Sequence, residues 1–91
     1  MNRQEFQSLI KDTPLFLDGA TGSNLQKRGM PAGVCPEQWI LEHRDIMIGL
    51  QRDFVAAGSH IVYAPTFTAN RIKLKEYGLD GQIRQINHAL V

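Results

Sequence analysis

The chain has a single cysteine, Cys35, among its 91 residues. One cysteine cannot form an internal disulfide, which excludes a small secreted scaffold held by cystine bridges. No apolar run approaches the roughly 20 residues a helix needs to cross a bilayer, so no membrane is expected as a partner. The opening Met1-Asn2-Arg3-Gln4-Glu5-Phe6 carries an acid and lacks the apolar stretch of a secretory signal. An excess of charge of either sign is lacking too, the formal net charge being +1. That leaves no electrostatic footprint for nucleic acid or an anionic surface. The densest basic stretch, Arg71, Lys73 and Lys75, is interrupted by Ile72 and Leu74 and reads as a solvated helix face. Internal repeats and low-complexity segments are lacking. The expected compartment is the cytoplasm.

What is present is ample apolar content, 43% of residues, enough for a core and too much for wholesale disorder. Phe6, Leu9 and Ile10 share one helical face before Asp12-Thr13-Pro14 interrupts. Leu15-Phe16-Leu17, between Pro14 and Asp18-Gly19, predicts a fully buried strand of a parallel sheet. A strand-to-helix turn, Asp18 to Asn24, leads to a short helix over Leu25–Arg28, ended by Gly29. Met30 to Pro36 predicts a loop, and Glu37 to Leu41 packs through Trp39 and Ile40. The clearest helix spans Asp45–Ala57, with Ile46, Met47, Leu50, Phe54 and Ala57 as its stripe and Gly58 as its stop. Ile61 to Ala64 predicts a second strand with Tyr63 in the core, closed by Pro65. Arg71–Tyr77 predicts a helix capped by Gly78, and Gly81–Val91 begins another.

Strands alternating with helices argue for right-handed βαβ units and a parallel sheet, hence an α/β fold. Two strands leave both sheet edges open, and no cap signal follows Val91 in its apolar-periodic helix. The expectation is therefore a truncated piece of a larger domain.

Asp18-Gly19-Ala20-Thr21-Gly22 is the first candidate site. A carboxylate at the C-terminal end of a buried strand sits where α/β barrels keep their working residues. Small residues behind it expose backbone N–H groups, so ammonium and carboxylate of an amino acid could be held together. The competing reading is that Asp18 caps the following turn or helix. The glycines match neither dinucleotide nor phosphate loops. Ala64-Pro65-Thr66-Phe67-Thr68-Ala69-Asn70 occupies the same strand-end position one unit later. Thr66 and Asn70 there could line the same mouth or serve as turn residues, and Phe67 taken alone reads as core. His43, His60 and His88 match no zinc spacing, and Cys35 reads as a packed loop residue.

Together these segments resemble the start of the homocysteine S-methyltransferase family, which includes the front domain of cobalamin-dependent methionine synthases. Leu15-Phe16-Leu17-Asp18-Gly19-Ala20-Thr21-Gly22 resembles its first strand and glycine turn, and Pro36-Glu37-Gln38-Trp39 its Pro-Glu loop. Phe54-Val55-Ala56-Ala57-Gly58-Ser59-His60-Ile61-Val62 is similar to its helix, glycine and second strand. Pro65-Thr66-Phe67-Thr68-Ala69-Asn70 resembles its second strand-end signature, with Pro65 where asparagine is usual.

The resemblance implies a TIM (β/α)8 barrel, of which residues 1–91 would be the N-terminal portion, a leading helix and the first two βα units. A whole barrel takes about 250 residues. It implies that zinc activates homocysteine as a thiolate, which takes a methyl group to give methionine. Asp18 would hold the substrate ammonium, and Gly19 and Ala20 would turn backbone amides to its carboxylate. Thr66, Phe67 and Asn70 would line the pocket. Betaine is not the expected donor, because betaine-using members carry tyrosine where Thr68 stands. Cobalamin and methyltetrahydrofolate would act through other domains. The family's zinc ligands are cysteines of later strands, and Cys35 does not match them. The expectation is thus no catalytic or metal-binding residue here and an inactive isolated chain. The alternatives are a non-catalytic module stabilised by self-association or a partner, and a barrel enzyme of different chemistry.

Overall fold

In the computed structural model, which describes residues 1–91, helix formation starts at a cap legible residue by residue. The Asn2 side chain accepts from the Glu5 N–H at 2.8 Å, and the Glu5 carboxylate accepts from the Asn2 N–H at 2.8 Å. This reciprocal box satisfies two N–H groups that the first turn leaves without partners and opens α1, Arg3–Lys11. No residue of α1 is buried; Phe6, Leu9 and Ile10 remain substantially exposed.

The body is made by α2 (Gly22–Lys27), α3 (Pro36–Glu42) and α4 (Arg44–Ala56), followed by α5 (Arg71–Lys75) and α6 (Ile83–Leu90). A single 3-10 turn, Asp80–Gln82, leads into α6, so the expected last helix is shorter at its start. Pro36 sits in the first turn of α3, where its missing N–H costs nothing. Gly58 ends α4 with φ of 117°, a conformation L side chains resist. The Gly58 N–H then reaches the Val55 carbonyl at 3.0 Å and the Ser59 N–H reaches Phe54 at 3.0 Å. That paired closure turns the chain sharply from helix into the second extended segment.

Two apolar clusters form. Leu25, Met30, Trp39, Ile40, Met47 and Leu50 knit α2, α3 and α4 together, with Ile46 and Phe54 at the margin. Cys35, Ala69, Leu74 and Ile86 form the other, under α5 and α6. Leu90 packs against both. Ala57, assigned to the stripe of α4, is exposed at its C-terminal boundary instead.

The two expected strands are extended segments joined by one parallel bridge, Leu17 to Ile61. Asp18 donates its N–H to the Ile61 carbonyl at 3.1 Å, and Ile61 donates to the Phe16 carbonyl at 3.2 Å. Their side chains are not the buried set anticipated: Phe16 is 61% exposed and Tyr63 64%. A strand residue is buried by its sheet neighbours and covering helices, and one bridge supplies few of either. Parallel pairing is thus present at the expected place, with its faces uncovered.

Candidate functional site

Asp18 stands where the bridge ends. In a continuing parallel ladder the Tyr63 N–H would meet a backbone carbonyl; here it donates to Asp18 Oδ2 at 3.2 Å. The carboxylate therefore closes the pairing with its own side chain. Its other oxygen, Oδ1, is buried without a hydrogen-bond partner. A desolvated carboxylate oxygen left without a donor is costly, which makes it a ready acceptor for a cation or an N–H group. Asp18 does not cap α2, since Thr21 occupies the cap position. The Gly19 and Ala20 amides donate to no backbone carbonyl, while the Ala20 carbonyl accepts from the Asn24 side chain at 2.6 Å. A Cβ on Gly19 would stand 3.2 Å from the Phe54 ring, inside the ordinary separation of about 3.5–4.0 Å between carbons.

The segment after Pro65 folds as two tight turns, with Thr66 N–H bonded to the Ala64 carbonyl at 2.8 Å and Ala69 N–H to the Thr66 carbonyl at 3.0 Å. Thr66 and Phe67 line a cleft of about 450 Å³ together with Thr21, Gly22, Tyr63 and Glu37. That volume lies within the range of small-molecule sites. Phe67 is 95% exposed, so it belongs to the rim of this cleft and not to the core. Asp18, Gly19, Ala20 and Asn70 do not line the cleft. Asp18 adjoins it through Tyr63, which does. Asn70 is occupied as the cap of α5, its side chain accepting from the Lys73 N–H at 3.0 Å.

The sequence reading passed over Glu37 as a chemical group. It lies in the first turn of α3, only 3% exposed, and lines the same cleft. Its Oε1 accepts from the Thr68 N–H at 2.9 Å, the Thr68 hydroxyl lies 2.6 Å from both carboxylate oxygens, and the Cys35 thiol donates to Oε2 at 3.6 Å. Burial pushes the Cys35 thiol above its ordinary value of 9.0, and the neighbouring Glu37 charge pushes the same way. The thiol is therefore a resting S–H donor at neutral pH. Only the Pro-Glu dipeptide hinted at this cluster, since its partner Thr68 lies 31 residues on.

A structural zinc ion takes four converging His, Cys or carboxylate donors, a catalytic one three. No three such side chains converge anywhere in the chain. These residues do not fit a zinc ion.

An unpartnered carboxylate oxygen, two amides that meet no backbone carbonyl and a neighbouring cleft thus lie together where the two extended segments end. A family model described as homocysteine S-methyltransferase matches residues 15–91. The chain belongs to that family. Comparison with curated proteins and with solved structures gives no match.

Proposed function

We propose that this chain forms part of the homocysteine-binding wall of a homocysteine S-methyltransferase, the enzyme class that moves a methyl group from a donor onto the homocysteine sulfur to give methionine. Family membership over residues 15–91 supports the substrate class. The single observation that carries the site is Asp18 Oδ1, buried and unpartnered at the end of the Leu17–Ile61 bridge. In this reading Asp18 accepts from the substrate ammonium, and the Gly19 and Ala20 amides donate to its carboxylate. Thr66 and Phe67 wall the remainder of the amino acid.

The one parallel bridge, with a helix after each extended segment, supports the reading of residues 1–91 as the opening of a TIM (β/α)8 barrel. The metal that activates the thiolate in such enzymes finds no donor set among these residues. The isolated chain is accordingly expected to bind homocysteine weakly and to transfer no methyl group. A titration of the isotope-labelled chain with homocysteine, followed by amide chemical shifts, tests this. Shifts confined to Asp18–Ala20 and Thr66–Phe67 support the assignment. Shifts absent there at saturating ligand refute it.

One observation favours a second reading. Phe16, Leu17 and Tyr63 present apolar surface on the two bridged segments, and association of two copies would cover it. Sedimentation velocity over a wide concentration range separates the two: a constant monomer mass excludes self-association.

A further inference from the structure

Glu37 is a buried carboxylate without a cationic partner; the chain's ion pairs are Arg28 with Asp53 and Lys73 with Glu76. Burying an unpaired charge is costly unless hydrogen bonds and dipoles replace its water. Two groups do so here: the Thr68 N–H and hydroxyl, and the Cys35 thiol. The thiol stays protonated, so it remains a donor and does not repel the carboxylate. The bonds converge on the Glu37 carboxylate, and two of the donors, the Thr68 N–H and hydroxyl, belong to the turn that follows Thr66 and Phe67. The same turn is held at its next residue by the Asn87 side chain, which donates to the Ala69 carbonyl at 2.8 Å. Where the segment begins, Gln51 donates to the Tyr63 carbonyl at 3.3 Å.

We infer that Glu37 is a positioning residue for substrate, its carboxylate clamping Thr68 so that Thr66 and Phe67 stand fixed at the cleft. The inference rests on the homocysteine reading above. Both Thr68 donors are spent on Glu37, so neither is free to donate to a ligand in the cleft that Thr68 lines. Cys35 acts only by orienting Oε2.

The test has two arms, run on the full chain and on Glu37→Gln, Thr68→Val, Thr68→Ser and the Glu37→Gln/Thr68→Val double variant. The first arm needs no ligand: hydrogen exchange at the residue-68 amide. Glu37→Gln should speed it by about tenfold or more, the scale of a lost charge-assisted hydrogen bond, while amides of α4 keep their protection. The second arm is homocysteine affinity. Glu37→Gln and Thr68→Val should each weaken it by about tenfold, the double variant no further than either, and Thr68→Ser should restore it. Should Glu37→Gln fold poorly, Thr68→Val carries the same comparison. Unchanged exchange at residue 68 in Glu37→Gln overturns the clamp. Unchanged affinity, or additive losses in the double variant, overturns its role in positioning. A wild-type chain that takes up no homocysteine overturns the homocysteine reading and the role assigned to Glu37 with it, and the exchange arm then reports on the clamp alone.

Discussion

Replacing Asp18 by asparagine separates ligand binding from folding. In the native chain Oδ2 accepts from the Tyr63 N–H, and Oδ1 is buried with no donor. Asparagine is close to isosteric and can present its one oxygen to Tyr63, so the bond that ends the ladder survives. Its NH2 then takes the place of Oδ1, exchanging an unpartnered charged acceptor for a neutral donor. The expected change in folding stability is small, within about 1 kcal/mol, since no satisfied hydrogen bond is lost. Affinity for an ammonium-bearing ligand should behave differently. An NH2 cannot accept from an ammonium, and a hydrogen bond to a charged group contributes about 1.5–3 kcal/mol, equivalent to about 10- to 150-fold in dissociation constant. Urea unfolding and a homocysteine titration on the same preparations measure the two quantities. Asp18→Ala, which also deprives the Tyr63 N–H of its partner, should lose stability as well as affinity. Native-like homocysteine affinity in Asp18→Asn would refute the assignment of Oδ1 to the substrate ammonium.

Three further outcomes follow from the packing. Leu25 is 0% exposed at the centre of the larger cluster, so Leu25→Ala should cost about 2–5 kcal/mol in urea unfolding; a loss under about 1 kcal/mol would contradict that placement. Gly58→Ala forces a Cβ into a φ of 117° and should cost about 1–2 kcal/mol, although nothing stands near the added methyl. The Cys35 thiol is raised in the folded chain, chiefly by burial. Above pH 9.0 the unfolded thiol ionises first, so folded stability present below that pH is lost as pH rises through the folded value. Melting temperatures across the alkaline range should fall less steeply in Cys35→Ala than in the wild type, and parallel curves would argue against it.

Helices were legible where one face repeats: Met47 and Leu50 lie buried in α4 as their spacing requires, and the glycines at 29, 58 and 78 all adopt positive φ after helices. Of the two expected strands only a single parallel bridge, Leu17 to Ile61, is present, and the burial expected of them is not. Periodicity reports which residues are apolar, whereas burial depends on what a sheet packs against, and Phe16 and Tyr63 have little against them. Asn70 lies directly before the Arg71 helix, a local capping signal that the structure shows in use. Glu37 could not be found from spacing, because its meaning comes from Thr68 on a distant loop. Asp18 stands out in sequence by its place after an apolar run, whereas its engagement with the Tyr63 N–H is visible only in the folded chain.

The last helix, α6, holds more than its own length of chain. Leu90 is its contribution to both apolar clusters, and Asn87 is its tie to the turn that carries Thr66 and Phe67. During synthesis the N-terminal part emerges first, so α2, α3 and α4 can collapse around Leu25 while the later cluster is still incomplete. The turn after Thr66 gains its Asn87 tie only when α6 docks. A ribosome-bound chain stopped before Ile83 should therefore protect the first cluster from protease and leave the Thr66 turn cleavable, so the turn beside the cleft becomes ordered after the α2–α4 cluster.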